Sequence, residues 1–308
     1  PKHPNAMNKP YLLITAWLLT QVCFAQYQFV KKWDKTIGGI GWEGIRGIVC
    51  NRGGDLVIGG HSPSPISGDK TQESRGSYDY WIVKVDSNGN KIWDRRFGGN
   101  RAEGSFDVVP SKDGGVVVVG YSDSNAGGDV SQNNRGGGDM WVVKVDAEGN
   151  KVWDKLLGGN RSDIAYTVIA TNDGGYLAGG ISNSDAGFEK SEGLRGGSFY
   201  DDGWVVKIDS IGNKEWDKSL GGLEYDAVFG LGQTQDSGYL VLVYTQSDNV
   251  GGDIVDIGHG EKDGWVVKLN EHGQIEWQKR YGGSGDDGIV RMCQISGNRV
   301  LLLGGSNS

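Results

Sequence analysis

The feature that most constrains the fold of this chain is a tryptophan-rich segment that occurs four times. "WVVKVDAEGNKVWDKLLGGN" covers residues 141–160, and close copies surround residues 81, 204 and 265. The second tryptophan of each copy, together with one earlier tryptophan, recurs every 60 to 63 residues, at Trp33, Trp93, Trp153, Trp216 and Trp277. A fixed interval of this kind indicates an array of equal structural units.

Each unit has the pattern of four short antiparallel strands. In the third unit, "DIAYTVIAT", "YLAGGIS", "DGWVVKID" and "KEWDKSLGG" are rich in β-branched and aromatic residues and are separated by Gly and Asn turns or by one long polar loop. None of them has the apolar spacing of an amphipathic helix. Four-stranded repeats are typical of β-propeller blades, which usually recur every ~40 to 50 residues. The sequence therefore predicts an all-β propeller whose tryptophans pack between neighbouring blades. The five regularly spaced tryptophans listed above are predicted to be structural residues that dock one blade on the next.

The predicted propeller covers residues 26–308. Its limits are 40–99 for blade 1, 100–159 for blade 2, 160–222 for blade 3, 223–283 for blade 4, and 284–308 for the first two strands of blade 5. Residues 26–39 are predicted to supply the outer strand of the closing blade. Because no segment supplies a third strand for blade 5, we expect a truncated ring whose unpaired edges favour aggregation or domain exchange.

The N-terminal segment has the order of residues found in export signals. Met7, Lys9 and the apolar run that follows predict a signal peptide at residues 7–25, which places residues 1–6 upstream or makes them non-native. The apolar run is too short for a membrane span. Residues 1–25 contain two lysines and no acid, so their removal changes the net charge from −8 to −10. We expect a secreted or cell-surface protein that does not bind nucleic acid, because this charge repels phosphate backbones.

An acid follows each Gly-Gly pair by four positions. These acids are Glu43, Glu103, Asp163, Asp226 and Asp287. Each precedes an innermost strand, so we expect the five carboxylates to surround the mouth of a central channel. Such a ring would suit Ca²⁺, since hard cations take carboxylate oxygens. The alternative is a capped loop, in which each acid accepts backbone N–H bonds near its own blade.

Long loops join the second and third strands at residues 62–78, 122–138, 182–201 and 245–262. Loops of this length are often functional. Each carries an acid six positions before a cationic or titratable side chain, which predicts an ion pair within the loop: Asp69 and Arg75, Asp129 and Arg135, Glu189 and Arg195, Asp253 and His259. The candidate binding residues are therefore Arg75, Arg135, Arg195 and the less repetitive cluster Asp253, Asp256 and His259, which is also the candidate metal or catalytic group.

The repeat of this chain resembles those of two known families. Asp146, Gly149 and Trp153 are similar in order to the tryptophan-docking repeats of quinoprotein propellers. A closer resemblance, over nearly all of residues 27–308, is carried by "DGWVVKIDSIGNKEWDKSLGG" and "NDGGYLAGG" and is to the secreted β-propeller-repeat proteins of Bacteroidota. It implies a secreted propeller of a kind often exported by type IX secretion through a C-terminal sorting domain, a tail not visible in these 308 residues. Some members of that group are labelled endoglucanase.

The sequence contains no nucleophile elbow, zinc-ligand spacing or phosphate-binding loop, so it assigns no catalytic residue and no cofactor other than the calcium considered above. Repeated loop chemistry suits multivalent or shallow binding. The sequence thus favours a non-enzymatic protein that binds a glycan, a surface polymer or a protein through its loop-rich face. The alternative is a polysaccharide-cleaving enzyme, an endoglucanase-like hydrolase or a lyase, because paired carboxylates cleave glycosides. The fold alone does not decide between them.

Overall fold

The computed structural model describes residues 31–51, 53–197, 199–295 and 299–308. The chain divides into two compact units, residues 1–34 and residues 35–308. The predicted signal peptide at 7–25 and the preceding residues 1–6 lie outside the described residues. Within the described part, no helix is long and apolar enough to cross a membrane.

The described part of residues 35–308 forms five antiparallel sheets. Blade 1 contains β1 (Gly44–Cys50), β2 (Leu56–Ser62), β3 (Asp79–Val85) and β4 (Lys91–Phe97). Blade 2 contains β5 (Glu103–Pro110), β6 (Val116–Ser122), β7 (Asp139–Val145) and β8 (Lys151–Leu157). Blade 3 contains β9 (Asp163–Ala170), β10 (Tyr176–Ser182), β11 (Asp202–Ile208) and β12 (Lys214–Leu220). Blade 4 contains β13 (Asp226–Gln233), β14 (Tyr239–Thr245), β15 (Asp263–Leu269) and β16 (Ile275–Tyr281), and the last sheet contains β17 (Asp287–Ile295) and β18 (Arg299–Ser306).

The strands of each sheet are ordered as they occur in the chain, and the first strands of successive sheets contact one another. The predicted all-β fold of four-stranded propeller blades is therefore confirmed, with four complete blades and a two-stranded fifth sheet in the described residues. Residues 31–39 form no strand, so the outer strand predicted over 26–39 is not formed in its described part. An outer strand hydrogen-bonds to the third strand of its sheet. In the described residues the fifth sheet has two strands, so it offers no third strand with which an outer strand could pair.

A short turn between the third and fourth strands recurs in each blade. In blade 2, Asp146 Oδ1 accepts the backbone N–H groups of Glu148 at 3.0 Å and Asn150 at 2.8 Å. Gly149 has a φ of 83°, a left-handed conformation that favours glycine. The local sequence Asp-x-x-Gly-Asn thus determines this turn without help from the rest of the fold.

The two tryptophans of each copy have different environments. Trp141, Trp204 and Trp265 on the third strands are fully buried between neighbouring blades, each with an exposed fraction of 0%. Trp81, the third-strand tryptophan of blade 1, is 5% exposed and packs with Ile37 and Leu56. The indole N–H of Trp141 donates to Asp154 Oδ2 at 3.0 Å, and its ring packs against Tyr80 of blade 1. These third-strand rings are the side chains that fill the space between twisted neighbouring sheets.

The outer-strand tryptophans dock on the turn of the following blade. The indole N–H groups of Trp93, Trp153 and Trp216 donate to the backbone carbonyls of Ala147, Ser210 and Glu271 at 3.2, 3.2 and 3.0 Å. Trp277 is 47% exposed. Trp33 belongs to the other compact unit, so its docking role stays a prediction.

Candidate functional site

A β-bulge occurs at the same place in each innermost strand. The register breaks lie between Ile45 and Gly47, between Ser105 and Asp107, between Ala165 and Thr167, between Val228 and Gly230, and between Ile289 and Arg291. In the four complete blades the extra residue is Arg46, Phe106, Tyr166 and Phe229 respectively. A bulge re-aims the side chain of its extra residue, so three successive blades present an aromatic ring from one equivalent position.

These aromatic rings contact each other from blade to blade. The centroids of Phe106 and Tyr166 are 5.2 Å apart in an edge-on arrangement, and those of Tyr166 and Phe229 are 5.3 Å apart with planes 7° from parallel. The guanidinium carbon of Arg46 lies 5.4 Å from the centroid of Phe106. All three rings are half-buried. We call Phe106, Tyr166 and Phe229 the aromatic row.

Phenol groups border the aromatic row on both sides. Tyr121 lies 6.3 Å from Phe106, and Tyr244 lies 6.3 Å from Phe229, between ring centroids. The phenol of Tyr225 lies close enough to that of Tyr166 for each to affect the pKa of the other. Burial raises the pKa of both Tyr166 and Tyr225, so their phenols stay neutral and can donate and accept hydrogen bonds at physiological pH.

Two carboxyl groups lie close to these phenols. Burial raises the pKa of Asp201, whose charge in turn raises the pKa of Tyr166 and Tyr225. Burial also raises the pKa of Asp123, which acts in the same way on Tyr121. The site therefore combines aromatic faces with hydroxyl and carboxyl groups. Groups of these kinds are suited to contact a ligand that has both apolar C–H faces and hydroxyl groups.

The acids predicted to surround the channel mouth do not share a site in the structure. Each one instead accepts hydrogen bonds close to its own loop. Backbone N–H groups of the preceding Gly-Gly turns donate to Glu103, Asp163, Asp226 and Asp287 at 2.9, 2.8, 2.7 and 2.5 Å. Glu43 accepts a hydrogen bond from the Ser62 hydroxyl at 3.1 Å. In the described part of the chain, no three His, Cys, Asp or Glu side chains form a group able to hold a metal ion. This geometry fits the capped-loop alternative, because an unpaired buried N–H in a tight turn is costly and the carboxylate satisfies it.

At three junctions a buried cap acid faces an aspartate of the preceding blade, an arrangement that sequence reasoning missed: Glu103 faces Asp79, Asp163 faces Asp139, and Asp226 faces Asp202. A methyl group on Gly158 would lie 2.7 Å from both Asp139 Oδ1 and Asp163 Oδ2, so glycine is required between these two fully buried carboxyl groups. Burial, and then the charge of Asp163, raises the pKa of Asp139 to about 7. At the next junction, burial raises the pKa of Asp202 to about 6 and that of Asp226 to about 7. We call these facing aspartates the carboxyl pairs.

The ion pairs predicted within the long loops are wrong. Arg75 instead pairs with Asp129 at 2.8 Å, Arg135 with Glu189 at 2.7 Å, and Arg195 with Asp253 at 2.8 Å, so each pair links neighbouring blades. The reason is that each loop acid is anchored on the preceding blade. In blade 2, Asp129 N donates to Gly98 O at 3.0 Å, and Asp129 Oδ2 accepts from Gly98 N at 3.1 Å.

The predicted cluster of Asp253, Asp256 and His259 is not assembled as one site. Asp253 is committed to Arg195, whereas Asp256 and His259 are exposed. The loop cations Arg75, Arg135 and Arg195 are likewise held in interblade pairs. The aromatic row had a sequence signal, since an aromatic residue follows the cap acid by three positions in three units.

A double-mutant cycle can test the interblade assignment. We expect Arg135→Ala and Glu189→Ala to show a coupling free energy of about 0.5–1 kcal/mol, because this partly buried pair is 2.7 Å apart. The matched cycle uses Arg135→Ala with Asp129→Ala, the pair predicted from sequence, and should give a coupling near zero. Both cycles are measured by urea denaturation. A larger coupling for the second cycle would contradict the observed partnership.

No protein-family model matches the chain, and a search of curated proteins found no significant match. Solved structures with a similar fold include the WD40 domain of Neurospora crassa Pan2, at 10% identity and a TM-score of 0.42 over 81% of this chain and 68% of that one. The PQQ-bound aldose sugar dehydrogenase of Streptomyces coelicolor aligns at 13% identity and a TM-score of 0.34, covering 87% of this chain and 90% of that one. A DUF4221 family member from Bacteroides vulgatus aligns at 10% identity and a TM-score of 0.25, covering 78% of this chain and 82% of that one.

The strand order therefore defines the class of this protein, an all-β blade array of the propeller type. The low identities and TM-scores of the neighbours carry no argument about activity. Membership in the secreted propeller-repeat proteins of Bacteroidota remains a prediction from the sequence.

Proposed function

We propose that this protein is a secreted or cell-surface, non-enzymatic binding protein for a glycan or glycan-like surface polymer. The observation that carries the proposal is the aromatic row, in which Phe106, Tyr166 and Phe229 occupy one position of successive blades and contact each other. Sugar rings present apolar C–H faces that pack on aromatic faces. The surrounding phenols and carboxyl groups can exchange hydrogen bonds with sugar hydroxyls. The extracellular location is inferred from residues 7–25 of the sequence.

The proposed contact surface is the aromatic row and not the loop-rich face favoured by the sequence. The loop arginines are held by acids of the next blade, which reduces their availability to a ligand. The aromatic row instead repeats along the array, so it offers several equivalent contacts to a repeating polymer. The net charge of −8 argues against a polyanion as that polymer.

A polysaccharide-cleaving enzyme is the second candidate. It is favoured by one observation, that burial raises the pKa of Asp123 and of Asp201 beside the phenols that border the aromatic row. A raised carboxyl pKa is the direction of shift that general-acid cleavage of a glycosidic bond needs.

The two candidates are separated by measuring binding and reducing-sugar release on the same glycans. We expect Tyr166→Ala to weaken binding of the best glycan-array ligand by at least about tenfold, because it removes the central ring of the aromatic row. Tyr166→Phe should retain most of the affinity, since it keeps the aromatic face. Affinities are measured by isothermal titration calorimetry.

The matched control is Phe199→Ala, which removes a ring that is 94% exposed on the long loop of the same blade. This change should leave binding unaltered. Equal losses for Tyr166→Ala and Phe199→Ala would refute the aromatic row as the site. Sugar release that is abolished by Asp201→Asn would replace the binding function with the hydrolytic one.

A further inference from the structure

The side chain that begins the second strand of a blade differs from one blade junction to another. This residue is Tyr176 in blade 3 and Tyr239 in blade 4, and both are 2% exposed. Their rings lie beside the outer-strand tryptophan of the preceding blade, with centroids 6.3 Å from Trp153 and 5.7 Å from Trp216. The second strand of blade 2 begins instead with Val116. The junction of blades 1 and 2 therefore has no phenol ring at this position.

The same junction differs in the partner of its third-strand lysine. In blades 2, 3 and 4 this lysine pairs with an aspartate of the turn between the first and second strands, at 2.6, 2.8 and 3.1 Å: Lys144 with Asp113, Lys207 with Asp173, and Lys268 with Asp236. The equivalent turn position of blade 1 is Gly53. Lys84 of blade 1 lies 3.5 Å from Asp55, whose carboxylate also accepts a hydrogen bond from Asn51. Because the Lys84 side chain is only 13% exposed, its ammonium group would gain from a closer carboxylate.

The ring and the acid are neighbours where both are present. At the junction of blades 2 and 3, burial raises the pKa of Tyr176, and Lys144 and Asp113 lie close enough to its phenol to act on that pKa as well. The end of the tyrosine ring therefore lies near the lysine–aspartate pair. At the junction of blades 1 and 2, Val116 and Gly53 supply neither the ring nor the carboxylate, whereas the lysine is kept.

Both differences occur at one cavity. A cavity of about 410 Å³ lies between the turns that join the first and second strands of blades 1 and 2, which are both complete blades. Val57 and Val116 give it an apolar wall. Among its described lining residues the charged ones are Lys84 and Lys112, and none is an acid. A narrow crevice lined by Lys84, Val116 and Trp93 adjoins it. Its size is that of a small-molecule site, and its charge favours an anion.

We propose that this cavity binds a small aromatic carboxylate. The ring of the ligand lies against Val116 and beside Trp93, where the other junctions have a tyrosine ring. The ligand carboxylate takes the place of the turn aspartate and accepts hydrogen bonds from the Lys84 ammonium group. One benzoate-like molecule supplies both groups, because the ring and the acid are neighbours in the other junctions. This site is separate from the aromatic row and does not rest on the proposed glycan-binding function.

Benzoate is the probe that tests the proposal on the full chain. We expect saturable one-to-one binding with a Kd of about 0.1–1 mM, because a ligand of this size makes few contacts. The binding is measured by an NMR chemical-shift titration, in which the indole N–H signal of Trp93 should move. Benzamide keeps the ring without the charge, and acetate keeps the charge without the ring. Each should bind at least about tenfold more weakly than benzoate.

Two substitutions that give this junction the groups of the other junctions locate the site. Val116→Tyr supplies the ring and Gly53→Asp supplies the acid, so each should weaken benzoate binding by at least about tenfold. A Cβ atom at position 53 meets Asn51 Oδ1 at 3.4 Å, an ordinary contact, so the turn accepts a side chain there. We expect both variants to melt at or above the temperature of the parent protein, which separates a loss of binding from a loss of folding.

The matched control is Asn88→Asp, which adds the same charge to the exposed turn between β3 and β4, outside the described lining of the cavity. It should leave the Kd for benzoate unchanged. The proposal is overturned by an absence of saturable binding, by benzamide or acetate binding as tightly as benzoate, or by equal effects of Gly53→Asp and Asn88→Asp. Undiminished benzoate binding by folded Val116→Tyr protein would also overturn it.

Discussion

Replacing Trp141 by alanine is expected to lower the free energy of unfolding by about 3–5 kcal/mol. The side chain of Trp141 is fully buried between blades 1 and 2, and its ring centroid lies 4.7 Å from that of Tyr80. Its loss would leave a cavity that the surrounding strands cannot close. It would also remove the 3.0 Å hydrogen bond to Asp154, a carboxylate that is only 2% exposed. Urea denaturation of the two proteins gives the difference.

The control for this prediction is Trp277→Ala, in which the same side chain is removed from a half-exposed position. We expect it to cost about 1 kcal/mol, since about half of its surface remains in water in the folded protein. Trp153→Ala should fall between the two, because that ring is half-buried and loses one hydrogen bond to Ser210 O. Similar losses for Trp141→Ala and Trp277→Ala would contradict the different roles assigned to the two tryptophan positions.

Raising the pH from about 5 to about 8 is expected to lower the free energy of unfolding by about 1–3 kcal/mol. Burial raises the pKa of Asp139 and Asp226 to about 7, and that of Asp79 and Asp202 to about 6. An unfolded aspartate has a pKa of about 3.9, so between these values the folded state binds protons that the unfolded state does not. The resulting stabilisation is complete below the unfolded pKa and is lost as the pH rises through the folded values.

One buried group acts in the opposite direction over part of this range. Burial lowers the pKa of His61, so folding favours its neutral form and loses stability as the pH falls below about 6.5. Four aspartates outweigh this single histidine. Chemical denaturation at a series of pH values measures the net slope.

The double variant Asp139→Asn and Asp226→Asn should flatten the pH dependence, because it replaces the two groups with the highest folded pKa values. Asp185→Asn, which changes an exposed loop carboxylate, should leave the slope unaltered. The series is repeated with a chelator. A slope that persists in the double variant, or a melting temperature that falls on chelation, would show that the carboxyl pairs are neutralised by something other than protons.

The sequence was sufficient to predict the blades because their structure is local. The Asp-x-x-Gly-Asn turn at residues 146–150 and the nearly continuous apolar run of β7 fix the third hairpin of blade 2 within a few positions along the chain. Repetition of these local signals every 60 to 63 residues then implies equal units. It also implies that tryptophans pack between those units, although the sequence did not distinguish the buried Trp141 from the half-buried Trp153.

Partners across a blade junction were decided only by the tertiary structure. Spacing along the chain favoured Asp129 as the partner of Arg135, but the packing of blade 3 on blade 2 brings Glu189, 54 residues away, to 2.7 Å. The same packing brings Asp139 to face Asp163 and aligns Phe106 with Tyr166 and Phe229. Local sequence fixes the strands and turns of a blade, whereas the angle and distance between blades depend on how whole sheets pack. The sequence therefore determined the repeating unit, and the packing of one unit on the next determined the candidate site.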